Sequence, residues 1–283
     1  MGDNVENTAQ NNSKQFGLNT FLNFLKKPKT LVNKVKLFLF DADQKKKSFK
    51  DELQSYKNAL KTLALFSEKN SNLLPVLSIE EFSLAVSETD SDAIRLKDLF
   101  LKFGSDKSTQ HNYYLLYAGI LKNKHGSFNI FEMGLGTNHL EMISNMGPEG
   151  SPGASLRAFK QMYPSASIYG ADIDRRILFK EEKIQTFYAN QLNKDSLSEL
   201  HAQISPLLFD LVIDDGLHTP EANINTFEFA IKILAPDGVF VIEDIKETDV
   251  VFFQLMANVL NTDFNIQIIN TKAAYVCVIK KRI

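Results

Sequence analysis

The sequence predicts an α/β protein built on a doubly wound, mostly parallel sheet of seven strands, with a helical segment ahead of it. Three observations carry this. Beyond residue 126, short apolar runs alternate with helical segments. Such alternation requires right-handed crossovers and a sheet buried on both faces. Nearly every run ends in glycine or acidic residues, as strands do when their carboxyl ends carry a ligand site. The last two runs, "FNIQIIN" (264–270) and "AAYVCVIKK" (273–281), are joined by very few residues. That link suits antiparallel strands only, so the sheet finishes in a C-terminal hairpin.

The elements follow in order. Residues 1–15 have the polar composition of a disordered tail. In residues 16–40, Phe and Leu interleave with Lys and the run breaks near Pro28. The first reading is a helical pair packed on the body or on a second copy of the chain. The second is a basic amphipathic surface that visits anionic membrane. Segments 46–66 and 79–103 read as helices, the second opened by Ser78 with acids in its first turn. Residues 16–100 thus form a helical accessory region, and 101–283 the catalytic domain. Strands are expected at 128–133, 167–174, 184–189, 209–214 and 239–244, with helices near 155–162, 175–182, 195–204, 221–234 and 248–260. The helix after 220 is the best marked. Thr219 suits the N-cap, Pro220 the first helical position, and Ile224, Phe227, Ile231 and Leu234 form an apolar stripe.

Composition narrows the function. The formal charge is −2 over 283 residues, so no overall basic field points to nucleic acid. Residues 1–60 nevertheless hold 11 Lys against 6 acids, which leaves the remainder at −7. The single cysteine, Cys277, excludes an internal disulfide framework and a cysteine zinc site. No run approaches the ~18 apolar residues of a membrane span, and the start lacks a signal-peptide core, so a cytoplasmic protein is expected.

The strand ends outline a cofactor site. The first ends in Glu132-Met-Gly134-Leu-Gly136, where glycine lets backbone approach a ligand. The second ends in Asp172, a carboxylate able to accept both ribose hydroxyls as donors. The third is followed by Asn190-Gln191, polar groups where a base edge could lie. NAD is the rival ligand. Its fingerprint wants a third glycine, where this chain has His139, and an acid ~20 residues on, whereas Asp172 follows Gly136 by 36.

Taken in order, "FEMGLG", "PGASLRAFKQMYPSASIYGADID", "FDLVIDDGLH", "LAPDGVFVIEDI" and the terminal hairpin resemble the class I S-adenosylmethionine-dependent methyltransferases, Rossmann-like enzymes. More narrowly, the chain is similar to the metal-dependent sugar O-methyltransferases of macrolide and surface-polysaccharide pathways. The likeness begins near Phe103 and includes "FGSDKSTQHNYYLLY" (103–117). It implies that Glu132, Gly134 and Gly136 line the methionine part of the cofactor and that Asp172 holds the ribose. It also implies that Lys107, His111 and Tyr113 lie over cofactor or substrate.

A sugar hydroxyl is a poor nucleophile at neutral pH, and a positioned base or a cation near the developing alkoxide remedies that. Asp214-Asp215 with His218 close one strand and Glu243-Asp244 another. If the strands adjoin, four carboxylates meet and repel unless a cation lies among them. Oxygen-rich donors with one nitrogen favour Mg²⁺ or Mn²⁺. The resemblance implies Asp215, Glu243 and Asp244 as metal ligands and His218 as base. Asp214 joins His218 in the catalytic pair, or instead holds His218 or a backbone turn. The expected activity is methylation of a sugar hydroxyl in a surface glycan or glycosylated metabolite. An NAD-linked sugar oxidoreductase and a non-catalytic glycan-assembly scaffold are the alternatives. The accessory region points to a homo-oligomer.

Overall fold

The computed structural model describes residues 73–82 and 84–282, with residues 50, 54–60, 62 and 65. The chain divides into two compact units, residues 1–63 and 64–283. In the first, residues 54–60 are helical, within the helix expected over 46–66. The expected tail at 1–15 and the basic amphipathic pair at 16–40 lie outside the described residues, and with them the expected membrane contact. No helix among the described residues is long and apolar enough to cross a membrane.

The second unit runs β1 (Val76–Ser78), α1 (Ser91–Phe103), α2 (Tyr113–Leu121), β2 (Asn129–Met133), α3 (Ala154–Met162), β3 (Ser167–Asp172), β4 (Lys180–Glu181), β5 (Ile184–Tyr188), α4 (Lys194–Ile204), β6 (Phe209–Asp214), α5 (Pro220–Ile233), β7 (Leu234–Ile245), α6 (Val250–Leu260), β8 (Phe264–Asn270) and β9 (Tyr275–Lys281). These strands form one sheet in the order β1-β8-β9-β7-β6-β2-β3-β5-β4. The seven expected strands are joined by two short ones, β1 and β4, one at each edge. From β7 through β5 the neighbours pair in parallel. β9 pairs antiparallel with both β7 and β8, which makes the C-terminal hairpin. The chain leaves β2 on one side through β3 and β5 and returns to β6 on the other. The crevice at the carboxyl ends of β2 and β6 is therefore the topological switch point, where open α/β sheets bind ligands.

Period-two alternation sorts the strand side chains into two cores. Ile130, Leu211, Ile213, Val239 and Val241 pack toward α1, α2 and α3. Phe131, Val212, Phe240 and Ile242 pack toward α4, α5 and α6. Phe131 is fully buried beside Phe209 and Phe229; burying such a ring is worth roughly 1.5–3 kcal/mol.

Two helices differ from expectation. The segment expected to be helical over 79–103 becomes helical only at Ser91. Ser78 and Glu81 exchange hydrogen bonds across a single turn, and Asp90 caps α1 through the amides of Asp92 and Ala93. The segment expected to be helical near 175–182 forms one 3-10 turn at Arg175–Ile177 and then β4. Thr186 Oγ1 bonds both backbone groups of Phe179, and Lys183 turns at φ 59°, which folds β4 back on β5. α5 starts as expected, with Thr219 accepting from the Ala222 amide and Pro220 in the first turn.

Candidate active site

Strand parity decides where each acid goes. Asp214 ends β6 one residue after Ile213, so it points toward α4 and α5. There it is fully buried. Its Oδ1 accepts from Gln191 Nε2 at 2.7 Å, and its Oδ2 accepts from Asn223 Nδ2 at 2.9 Å. Burial pushes its carboxyl up to about 6, against the lowering effect of the Asn223 and Gln191 bonds. Both oxygens are engaged in shaping the loop, which matches the second of the two places expected for Asp214, the holding of a backbone turn. Gln191, expected near a base edge, joins this network. Its amide also meets Thr226 Oγ1 at 2.7 Å and accepts from the Leu217 amide at 2.8 Å, which leaves little for a base edge. The polar residues Asn223, Asn225 and Thr226 lie buried on α5 to serve this network.

Glu132 and Glu243 have the opposite parity and face α2 and α3. Between them lies the ammonium of Lys107, only 1% exposed. Its Nζ is 3.2 Å from Glu132 Oε1 and 2.7 Å from Asp215 Oδ2, and it donates to Glu243 Oε2. Tyr117 on α2 donates to the other Glu243 oxygen, and Ser155 on α3 donates to Glu132. Burial alone would depress the Lys107 pKa, but Asp215, Glu243 and Glu132 hold it well above its ordinary value. Burial and the neighbouring acids push Glu243 upward, and Lys107 opposes them. The cation expected among the acids is therefore, for three of them, a lysine of the chain. Glu243, expected on the metal rim, is buried with both oxygens engaged by Lys107 and Tyr117.

Asp215 and Asp244 stand at the rim. Asp244 has φ 55°, and the pairing of β7 with β9 is irregular between Ile242 and Ile245. The interruption turns its carboxylate out of the strand. Tyr113 donates to Asp244 Oδ1 at 2.6 Å, and His111, stacked on Tyr113, places Nε2 3.5 Å from the same oxygen. Desolvation, with Asp244 beside it, raises the Tyr113 phenol, which keeps it a donor. The other oxygens, Asp215 Oδ1 and Asp244 Oδ2, each lie 3.9 Å from His218 Nε2. That is too long for hydrogen bonds. One atom from each of the three residues lies within 4.8 Å of the other two. Donors around one Mg²⁺ stand about 3–4 Å apart, so the group is spaced, in slightly open form, as an ion site would be. The two carboxylates suit Mg²⁺ or Mn²⁺, and the imidazole would stand beside the ion. His218 has φ 53° and its Nδ1 has no hydrogen-bond partner.

Two cavities meet at this rim. One, of about 550 Å³, is lined by Lys107, Glu132, Gly134, Asp215, His218 and Asp244 among others. The second, of about 340 Å³, is lined by Gly136, Asp172, Ile173, Asn190, Gln191 and Leu217 among others. Gly134 and Gly136 border both. Gly134 has φ 94°, and a Cβ there would stand 2.1 Å from the Asp215 carbonyl oxygen, so only glycine fits between the two sites. Asp172 accepts from the Leu135 and Asp174 amides at 2.8 Å, which fixes its carboxylate at the cavity wall. Asn190 Oδ1 accepts from the Leu192 amide. The structure thus brings Glu132, Gly134, Gly136, Asp172, Asn190, Gln191 and Lys107 to the two cavities. It places Tyr113 beneath the rim and not in them. Sequence reasoning missed Ser155, whose bond to Glu132 joins elements far apart in sequence. It also missed Asp174, which accepts from Thr137 Oγ1 at 2.7 Å and secures the loop beside Asp172.

No protein-family model matches the chain. It is 30% identical over 173 residues to the 8-demethyl-8-alpha-L-rhamnosyl tetracenomycin-C 2'-O-methyltransferase of Streptomyces olivaceus, covering 61% of this chain and 43% of that protein. It is 38% identical over 93 residues to the demethylmacrocin O-methyltransferase of Streptomyces fradiae, covering 33% of this chain and 23% of that protein. The chain therefore spans less than half the length of these relatives. Among solved structures it resembles the MycE methyltransferase of the mycinamycin pathway, in complex with Mg and SAH, with a TM-score of 0.52 and 22% identity. That match covers 66% of this chain and 54% of MycE, and it shows a shared Rossmann-like methyltransferase fold.

Proposed function

We propose that the chain is an S-adenosylmethionine-dependent O-methyltransferase that methylates a sugar hydroxyl with the help of Mg²⁺ or Mn²⁺. The observation that carries this is the convergence of Asp215 Oδ1, Asp244 Oδ2 and His218 Nε2 at the mouth of a two-part cleft on the switch point. The relatives support the substrate class, since those named above are O-methyltransferases of a rhamnosyl tetracenomycin and of demethylmacrocin. Whether the sugar sits on a surface glycan or on a metabolite is the finer part of the proposal.

The residues divide the work. Asp172 and Asn190 line the cavity for the nucleoside, and Glu132 with the Gly134–Gly136 backbone lines that for the methionine part. Bound cofactor supplies an electrophilic methyl group on a sulfonium. Asp215 and Asp244 would hold a divalent ion, which when bound would favour the ionised form of a hydroxyl. His218 Nε2 would accept the hydroxyl proton as the methyl group passes from bound cofactor to the hydroxyl oxygen. Lys107 orients Asp215, and Tyr113 orients Asp244 through a charge-assisted bond.

Calorimetry and a chelator test this. The chain should bind S-adenosylmethionine and not NAD, and methyl transfer to a glycoside acceptor should stop in excess EDTA while cofactor binding persists. Full activity in EDTA would remove the metal; binding of NAD alone would remove the reaction class.

A further inference from the structure

A third cavity, of about 510 Å³, takes no part in the reaction described above. It opens where β1 and β8 end, and β8 runs parallel to β7 because β9 is antiparallel to both. It therefore lies on the same carboxyl rim as the acids. Along the sheet the order of sites is nucleoside at β3 and β5, methionine part at β2, acids at β6 and β7, and this cavity at β8 and β1.

Its wall contains two buried polar groups without partners. Ser108 and His111 are 8% and 7% exposed, and neither Ser108 Oγ nor His111 Nδ1 has a hydrogen-bond partner. A buried hydroxyl or ring nitrogen left unpaired costs about 1–3 kcal/mol, so the pair is built to meet something. His111 also joins the cavity to the reaction site, since its Nε2 lies 3.5 Å from Asp244 Oδ1. The charges around the cavity balance. Lys97 and Lys272 are matched by Glu80 and Glu88, which disfavours an anion as strongly as a cation. A neutral group rich in hydroxyls satisfies all of this, since each hydroxyl both donates and accepts.

We infer that this cavity is a subsite for a neutral pyranose, the unit adjoining the sugar that is methylated, with Ser108 and His111 as its hydrogen-bonding floor. The subsite rests on the sugar-methyltransferase reading for what lies beside it, but its occupancy is tested without cofactor, metal or turnover. The His111 imidazole is followed by nitrogen NMR while methyl glycosides of glucose, rhamnose and N-acetylglucosamine, and separately inorganic phosphate, are added to the full chain. At least one glycoside should shift the His111 signals saturably, and Ser108→Ala should weaken that binding by about tenfold, one hydrogen bond's worth. Because the Ser108 hydroxyl makes no bond within the protein, the variant should melt no lower than wild type, and S-adenosylmethionine should bind it unchanged. Three results would each overturn the subsite: no glycoside shifts His111, phosphate does so while no glycoside does, or Ser108→Ala binds the glycoside as wild type does. Glycoside binding that survives with methyl transfer absent would overturn only the catalytic reading.

Discussion

Asp215 and Asp244 come from different strand ends, and each turns one carboxylate oxygen to a distance of 3.9 Å from His218 Nε2. The remaining oxygen of each is tied back, Asp215 Oδ2 to Lys107 and Asp244 Oδ1 to Tyr113. The two acids are thereby oriented before any ligand arrives. Pre-set geometry of this kind is what positions a metal or a proton acceptor against a hydroxyl.

Lys107 is the counter-ion that permits Glu132 and Glu243 to share a dry interior, with Asp215 at its edge. Lys107→Met should cost about 3–5 kcal/mol at neutral pH, the usual penalty for stripping one partner from a buried ionic group. The deficit should shrink as pH falls. Without the ammonium the folded-state pKa values of Glu132 and Glu243 rise further above their ordinary range, and an acid raised on folding contributes stability at low pH that is lost as pH rises. Urea denaturation of both proteins between pH 5 and pH 8 reads this directly; a deficit that does not change with pH contradicts it.

Tyr113 acts on the rim only through Asp244. Tyr113→Phe should weaken Mn²⁺ binding by roughly 10–100-fold, as loss of an outer partner of a metal ligand does. S-adenosylmethionine binding should stay unchanged, because Tyr113 borders neither cofactor cavity. Parallel titrations with the ion and the cofactor separate the two effects.

Asp214 makes the opposite use of the same sequence pair. Its folded pKa of about 6 lies above the ordinary 3.8, so its contribution to stability is fully present below pH 3.8 and is lost as pH rises through 6. At ~1.4 kcal/mol per pKa unit the span is about 3 kcal/mol. The stability of wild type relative to Asp214→Asn should therefore rise as pH falls from 6 to 4. Thermal melts across that window test the sign, and a difference that is flat or falls with acidity contradicts it.

Gly134 couples the two halves of the cleft. In Gly134→Ala the new methyl would meet the Asp215 carbonyl at 2.1 Å at a φ of 94°, which strains the turn by roughly 1–3 kcal/mol. Cofactor and metal affinity should fall together. A variant that loses one and keeps the other would show that the sites are independent.

Much of this was legible in the residues. The alternation of runs and the short link before "AAYVCVIKK" pointed to the sheet and its hairpin. Thr219 and Pro220 marked the start of α5. The acids were found at the strand ends, but their roles depend on parity. Counting by twos from Ile213 and Val241 sends Asp214 to one face and Glu243 to the other, a signal present in the sequence and left unused. The departure of Asp244 from that rule was not readable, because it arises from a positive φ and an irregular pairing with β9. Nor was Lys107 as the central cation. Its contacts span 108 and 136 residues of sequence, and only the folded sheet brings them together.

The central claim is that Asp215 and Asp244 form the divalent-ion site of the cleft. Electron paramagnetic resonance of Mn²⁺ tests it without any acceptor sugar, on wild type and on the double variant Asp215→Asn with Asp244→Asn. Wild type should bind one Mn²⁺ per chain, displaceable by Mg²⁺, and the double variant should bind none while it still takes up S-adenosylmethionine. Mn²⁺ bound by the double variant with wild-type affinity would contradict the account.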